Sequence, residues 1–271
     1  MRPFFENNVL QQQPFKPMII VVDTTKAGSA SNTFVLPIVK AASETVKIYW
    51  GDGTNSTGVN GNNTHVYAAS GVYTVKIESK IFGGLYFNNG GDKAKITKIA
   101  NYGQGVSRLN IGSFFGCSSL LSIDIGNIVS NGADASNQYR GCTALTTVPL
   151  LNLSSVTNAF AMFTYCTALT TVPLFNLSNC TSTRSMFFDC TSLTTIPLLD
   201  LSSVTDATNM FTGVTLTTQS YSDFLINLAT LPLQSGVSFH GGNSKYNLTA
   251  AIARAYLISN FGWTITDGGA A

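Results

Sequence analysis

Three sets of residues in this chain are of types that can do chemistry. The first is a ladder of thiols. Cys142 opens CTALTTVPLLNLSSV, Cys166 opens CTALTTVPLFNLSNC and Cys190 opens CTSLTTIPLLDLSSV, with Cys117 further upstream. Thiols at a regular step suggest metal, disulfide or redox work. Yet five cysteines is an odd number, and no Cys-x-x-Cys or Cys-His pairing accompanies them, which argues against a disulfide framework and a zinc site. The second set is Trp50-Gly51-Asp52-Gly53 with His65 downstream, a setting for calcium or an acid catalyst. Only one carboxylate is near in sequence, whereas calcium takes about 6–8 oxygens. Asp52 is therefore expected to organise a tight turn through hydrogen bonds to backbone, and His65 to be a hydrogen-bonded residue of a sheet. The third set is the remaining acids and a glycine-rich loop. Paired carboxylates would serve a glycosidase, but Asp200 aligns with Asn176 and Asn152, and Asp206 with Ser182 and Asn158. A convergence such as Asp124 with Asp134 is left open. GGDKAKIT, residues 90–97, lacks the spacing of a phosphate loop and reads as a junction turn. His240 has no partner suggested by spacing. No catalytic residue, metal ligand or cofactor is assigned, and the expectation is a protein that is not an enzyme.

The elements behind these residues are repeats. Cys142, Cys166 and Cys190 are 24 residues apart, and other residues keep the same step. These are Pro149, Pro173 and Pro197; Met162, Met186 and Met210; and Phe163, Phe187 and Phe211. A further unit upstream aligns at a step of 25, with Phe114, Cys117, Leu120, Ile123 and Ile125 matching Tyr139, Cys142, Leu145, Val148 and Leu150. Ile96 and Ile99 sit one step earlier still, so about five coils cover residues 94–214. Within a unit the apolar positions Leu145, Val148, Leu150 and Leu153 are expected to face a core that only stacked units can share. The returning segment, from Ser154 to Tyr165, is expected to turn Met162 and Phe163 inward as a short helix or 3₁₀ turn. The prolines withhold an N–H, which predicts very short strands that end near each proline, with Thr147, Thr171 and Thr195 on the outer face. Val214 stands where the next cysteine would be, and Cys180 takes the slot of Val156 and Val204. Cysteine and valine thus exchange, which predicts small, apolar, buried slots holding free and unreactive thiols. Stacked neighbours about 4.8 Å apart also suit a disulfide poorly, since its Cβ atoms lie about 3.8 Å apart.

These units resemble the BspA-like class of leucine-rich repeats, whose phrase joins Met-Phe, Gly-Cys and a Leu-Thr-x-x-Pro-Leu stretch. Gly116-Cys117 and Gly141-Cys142 match that pair, while Tyr165 and Asp189 replace the glycine later. The family occurs on bacterial surface proteins and in tailed-phage virion proteins, and the resemblance implies binding or scaffolding rather than a reaction. Upstream, residues 18–80 alternate with a period of two, and turns fall at Gly51-Asp52-Gly53 and Ser70-Gly71. Trp50, Gly51, Asp52, Gly53, His65, Tyr67, Gly71, Tyr73 and Val75 resemble the polycystic kidney disease (PKD) domain, an immunoglobulin-like sandwich. Residues 81–93 read as a junction and residues 1–17 as an N-terminal arm. Residues 215–271 read as a cap that closes the repeat. It holds a helix opened by Ser220, a second over 248–259 before Gly262, and a last strand at WTITD. This ending resembles those on phage-encoded relatives of the repeat.

Composition narrows the functional classes. Only 10% of residues are charged, against roughly 25% in an average globular chain. The net charge of +2 comes from scattered Lys and Arg, which offers no footprint for nucleic acid or for an anionic membrane. No apolar run reaches the roughly 18–20 residues of a membrane span. The first residues show no apolar core and no cleavage site of a signal peptide. The resulting expectation is a mainly β protein with an immunoglobulin-like sandwich, a leucine-rich-repeat solenoid and an α/β cap. Its expected role is a structural component of a tailed-phage virion, made in the host cytoplasm: a head decoration protein or a fibre or collar component, with host-surface adhesion. Expected partners are capsid or tail proteins, further copies of the chain in a homo-oligomer, and cell-surface carbohydrate or protein. The alternatives are a bacterial cell-surface adhesin and a polysaccharide-degrading hydrolase.

Overall fold

The computed structural model describes residues 16–79, 83–102, 112–124 and 133–271. The arm expected over residues 1–17, except for its last two residues, and the repeat position Ile125 lie outside them. The chain is mainly β, with sheets in the N-terminal part and two helices near the C-terminus.

The alternating residues of the N-terminal part form two sheets. Strands β1 (Met18–Asp23), β3 (Val46–Tyr49), β4 (Asn55–Gly58) and β6 (Val72–Glu78) join β8 (Ile96–Tyr102) and β9 (Ser122–Ile123) in the order β4-β3-β6-β1-β8-β9. Strands β2 (Thr33–Val39), β5 (Gly61–Val66) and β7 (Gly84–Leu85) make the smaller sheet, ordered β5-β2-β7. Every second residue of β1 and β2 is buried, including Ile20, Val22, Phe34 and Leu36. The sheets face one another, since a Cβ on Gly58 would sit 3.1 Å from Ile38 Cδ1 and 3.2 Å from Ile48 Cδ1.

The larger sheet does not stop at the expected junction. β8 runs antiparallel to β1 and parallel to β9, where Ile99 pairs with Ile123 one repeat step later. The junction residues also bond to the first unit, with Phe87, Asn88 and Asn89 N–H groups donating to the carbonyls of Ser113, Gly112 and Phe115. A buried ion pair fixes this seam. Lys95 Nζ donates to the Ser29, Ala30 and Thr33 carbonyls and to Ser29 Oγ at 2.6–3.0 Å, and lies 3.7 Å from Asp92. Asp92 in turn accepts from the Ser29 and Val35 N–H groups and from Ser29 Oγ. Both side chains are withdrawn from water. Such burial is tolerated only because every charged atom has partners.

From residue 112 onward the chain repeats the same turn-rich unit. The returning segments of successive units are hydrogen-bonded at alternate residues. Ala135, Asn137, Tyr139 and Gly141 donate to Asn158, Phe160, Met162 and Thr164, and Ala159, Ala161, Phe163 and Tyr165 donate to Ser182, Arg184, Met186 and Phe188. Of the two forms expected, a short helix or a 3₁₀ turn, these segments take the second, a run of turns closed by i→i+3 bonds such as Met162 N–H to the Ala159 carbonyl, and Met162, Phe163 and their counterparts point inward and are fully buried. Two positions per unit take a left-handed backbone: Asn137, Ala161, Ser185 and Asn209 hold one, and at the other Gly116, Gly141 and Gly213 supply it at φ 80°, 71° and 80°. Tyr165 and Asp189 adopt it at φ 62° and 54°, a conformation that costs a non-glycine residue roughly 1–2 kcal/mol.

On the front of each unit the strands are shorter than the prolines alone suggest. A single parallel bridge joins Thr147 to Thr171, and Thr170 N–H donates to the Thr146 carbonyl at 3.0 Å. The expected inward position of Leu150 is corrected. Leu150 is 61% exposed, and its neighbour Leu151 is buried at 1%. Pro149 ends the two-residue alternation, so the next residue turns outward and the one after it fills the core. The same shift buries Phe175 and Leu199 in the next two units.

The C-terminal part closes the last unit. Helix α1 (Thr218–Leu228) is capped by Thr217, whose hydroxyl accepts from Ser220 N–H, so the cap lies three residues before the serine expected for it. Helix α2 (Leu248–Phe261) starts at Asn247 and ends at Gly262, which has φ 66°. The strands β10 (Ser238–His240) and β11 (Thr264–Thr266), one before and one after α2, pair in parallel. Phe211 N–H donates to the His240 carbonyl, which continues the unit-to-unit ladder into the cap. Lys95→Met is expected to lower stability by about 3 kcal/mol, because it leaves Asp92 buried without its cation. Urea denaturation monitored by far-UV circular dichroism checks this, and a loss below about 0.5 kcal/mol, typical of surface sites, would contradict it.

Candidate functional site

The thiol ladder, built up from its contacts, is part of the wall. All five cysteines are free and buried. Cys142, Cys166 and Cys190 sulfhydryls point at the Phe114, Tyr139 and Phe163 carbonyls of the preceding unit, 3.1–3.4 Å away. Burial raises the pKa of each of the three, to about 12 for Cys190, so the nucleophilic thiolate is suppressed. Val214, in the next cysteine slot, is equally buried, as are Cys180, Val156 and Val204.

The Trp50–Tyr73 motif assembles into one structural cluster. The His65 ring stacks on Trp50 at 4.8 Å and meets Tyr67 edge-on, and Tyr67 stacks on Tyr73 at 3.7 Å. Tyr67 hydroxyl donates to the Trp50 carbonyl. Gly51, at φ 91°, leaves room for the Thr74 carbonyl only 2.6 Å from where a Cβ would be. Asp52 Oδ1 accepts from Thr54 N–H and Oγ, and Oδ2 lies 2.7 Å from His65 Nε2. Asp52 thus organises its turn and ties it to His65. Desolvation pushes the Asp52 carboxyl up, but the bonds from Thr54 and His65 outweigh it and hold the pKa at about 2.

The remaining acids are also engaged. Asp124 pairs with Lys98 at 2.5 Å, and Asp134 accepts from Ser136 N–H and from the Asn158 amide. Asn152, Asn176, Asp200 and Asp206 each accept the backbone N–H two residues on, which makes that row of acids and amides a row of turn formers. His240 Nδ1 accepts from Gly242 N–H. Among the described residues no three His, Cys, Asp or Glu side chains gather as a metal site. No helix among them is long and apolar enough to cross a membrane.

Along the front of the units, exposed side chains are not committed to the fold. Leu150, Leu174 and Leu198 are 50–61% exposed, one per unit. Thr147, Thr171 and Thr195 stand beside them, also exposed. The neighbouring Thr170 hydroxyl is spent on the Thr146 carbonyl. Where this face meets α1, a groove of about 660 Å³ opens. Ile196, Leu198 and Ile226 make it apolar, while Thr195, Gln219, Asp223 and Asn227 bring polar groups to it. Gln219 donates to Asp223 at 2.8 Å, and the Ser220 hydroxyl latches α1 to the Ile196 backbone. The groove is shallow and open to solvent. Periodicity places the threonines of this face outward, as expected, but it could have added the leucines only if the proline-induced shift had been foreseen, since leucine at position 150 reads as core.

Along the described residues the units are joined one to the next by backbone hydrogen bonds at a 24-residue step. Residues 112–224 match the family described as a Mycoplasma protein of unknown function, DUF285, which is related to the BspA-like leucine-rich-repeat proteins. No curated protein and no solved structure matches the chain.

Because folding lowers the Asp52 pKa from an ordinary value near 3.8 to about 2, its charge stabilises the fold above about pH 4. That contribution is lost as pH falls toward 2. Asp52→Asn is expected to lower the thermal midpoint at pH 7, with the difference from the native chain shrinking between pH 4 and pH 2. A difference that stays constant over that interval would contradict this assignment.

Proposed function

We propose that the protein is a non-enzymatic structural and adhesive component of a tailed-phage virion. In this reading the N-terminal sheets are a PKD-like, immunoglobulin-like sandwich, and the stacked units are a leucine-rich-repeat solenoid of the BspA-like class. The observation that carries the reading is the ladder of bonds that runs unbroken from the Phe163 N–H to Met186, from Phe187 to Met210 and from Phe211 into the cap at His240. A body of this kind is rigid along its length and offers a surface rather than an enclosed reaction chamber. The resemblance of residues 215–271 to endings on phage-encoded repeat proteins favours the virion over a bacterial cell-surface adhesin. Head, collar and fibre positions all suit such a body, and self-association on the particle belongs to the same proposal.

Mass spectrometry and immunogold electron microscopy of purified particles from cultures that produce the protein test the reading. The chain is expected among the virion proteins, with label on the outside of particles. Label confined to the bacterial envelope, with particles free of the chain, would overturn it in favour of the adhesin.

A further inference from the structure

We propose that the face of the returning segments binds a second copy of this chain, the two stacks lying antiparallel about a two-fold axis at Tyr165. The inference deepens the self-association named above by placing its surface, and it rests on the virion reading only for its setting.

The ladder of backbone bonds sets out this face one unit at a time. Gly116 N–H donates to the Arg140 carbonyl, Gly141 to Thr164, Tyr165 to Phe188 and Asp189 to Thr212. Gly116, Gly141, Tyr165, Asp189 and Gly213 are therefore equivalent positions of successive units, and Tyr165 is the middle one. Side chains join across the units. The Arg140 guanidinium lies 5.2 Å from the Phe115 ring centre and 5.7 Å from that of Tyr165, and Tyr165 meets Phe188 edge-on at 5.6 Å. Tyr165 itself is exposed.

Charge says what covers this face. Within the repeat units Arg184 pairs with Asp206 and Lys98 with Asp124. Three charged groups of this face make no ion pair among the described residues: Lys93, Arg140 and Asp189. Arg140 donates to the neutral Asn137 side chain, and its Nε has no partner. Lys93 Nζ donates to Asn89, also neutral, and its stem rests on Gly116, where a Cβ would come within 2.9 Å of Cδ. The Asp189 carboxylate lies over Gly213, in the space that a Cβ there would take.

The two signs are placed to complement a copy of themselves. Arg140 belongs to the unit before Tyr165 and Asp189 to the unit after it, about 9.6 Å apart along the stack at about 4.8 Å per unit. A half-turn about an axis through Tyr165 exchanges these places. It sets Arg140 opposite the partner's Asp189, and Asp189 opposite the partner's Arg140. Lys93, one unit further out, comes opposite the partner's Gly213, over which the partner's Asp189 carboxylate lies. Each carboxylate thus meets two cations, and Tyr165 meets its own copy at the centre. That is the isologous contact of a two-fold dimer. A copy laid parallel would set Arg140 against Arg140, which repels. The Arg140 guanidinium is already held between two rings, so it loses little freedom on meeting a carboxylate.

Sedimentation equilibrium of the full chain over a series of concentrations tests the proposal. The native chain is expected to show a monomer–dimer equilibrium. Arg140→Glu and Asp189→Arg, made singly, are each expected to raise the dissociation constant by about tenfold or more. The two together exchange the charges and are expected to restore dimerisation to near the native level. Leu174→Asp, on the front face, is expected to leave it unchanged. All three positions reach the surface, and tryptophan fluorescence confirms that the variants fold. A chain that stays monomeric, single variants that dimerise like the native chain, or a double variant no better than the single ones would each overturn the proposal. A monomeric chain carried on particles would refute this proposal and leave the virion reading standing; a dimer restored by the exchange, in a chain absent from particles, would do the reverse.

Discussion

The structure depends on registration between units 24 residues apart. A single unit is a set of turns with little regular secondary structure, and it cannot satisfy its own backbone or cover its own apolar side chains. Stacking does both. Alternate N–H groups of the returning segment find carbonyls in the next unit. Inside, the rings of Phe114, Tyr139, Phe163, Phe187 and Phe211 lie nearly parallel, with centroids 5.5–6.0 Å apart. The spine ends edge-on against Phe224 of α1 and Phe239 of β10, which closes the core. At the other end Tyr102 of β8 meets Phe114 edge-on and shares a hydroxyl–hydroxyl hydrogen bond with Tyr139. Burial raises the pKa of both phenols, so both stay neutral.

Registration also explains how two differently built parts make one body. The repeat needs a first layer to stack on, and the N-terminal sheet supplies it through β8. The Lys95–Asp92 pair fixes the turn at residues 29–30 and the start of β2 against the start of that strand. Its cost in desolvation is offset by the number and geometry of its hydrogen bonds, and it defines one relative placement in which they are all made. Threonine hydroxyls extend the same logic along the sides, where Thr157, Thr181 and Thr205 each donate to a carbonyl 24 residues earlier.

Much of this was legible in the sequence because a repeat states its own constraints. The exchange of cysteine and valine between Cys190 and Val214, and between Val156 and Cys180, identified small buried slots before any contact was seen. The turn residues around Asp52 and both helices could be read from local chemistry. What could not be read depends on contacts far apart in the chain. GGDKAKIT looks like a polar junction, and nothing near it in sequence announces that Lys95 is swallowed by carbonyls of residues 29–33. Leu150 follows the apolar pattern of its unit, and only the backbone turn at Pro149 sends it outward. The threonines of the candidate face were legible as outward-facing, but its leucines were counted as core.

The two tryptophans sit at opposite ends of the stack, Trp50 in the N-terminal sheets and Trp263 in the cap, both buried. They allow the central claim to be tested with one reporter left at a time, using Trp263→Phe and Trp50→Phe chains unfolded in urea. If registration through the aromatic spine joins the whole molecule, both reporters give the same midpoint. Phe163→Ala, in the middle, then lowers both midpoints together, by an amount equivalent to about 3–5 kcal/mol. Two separate midpoints, with only one or neither moved by Phe163→Ala, would mean that the ends fold independently of the stack between them.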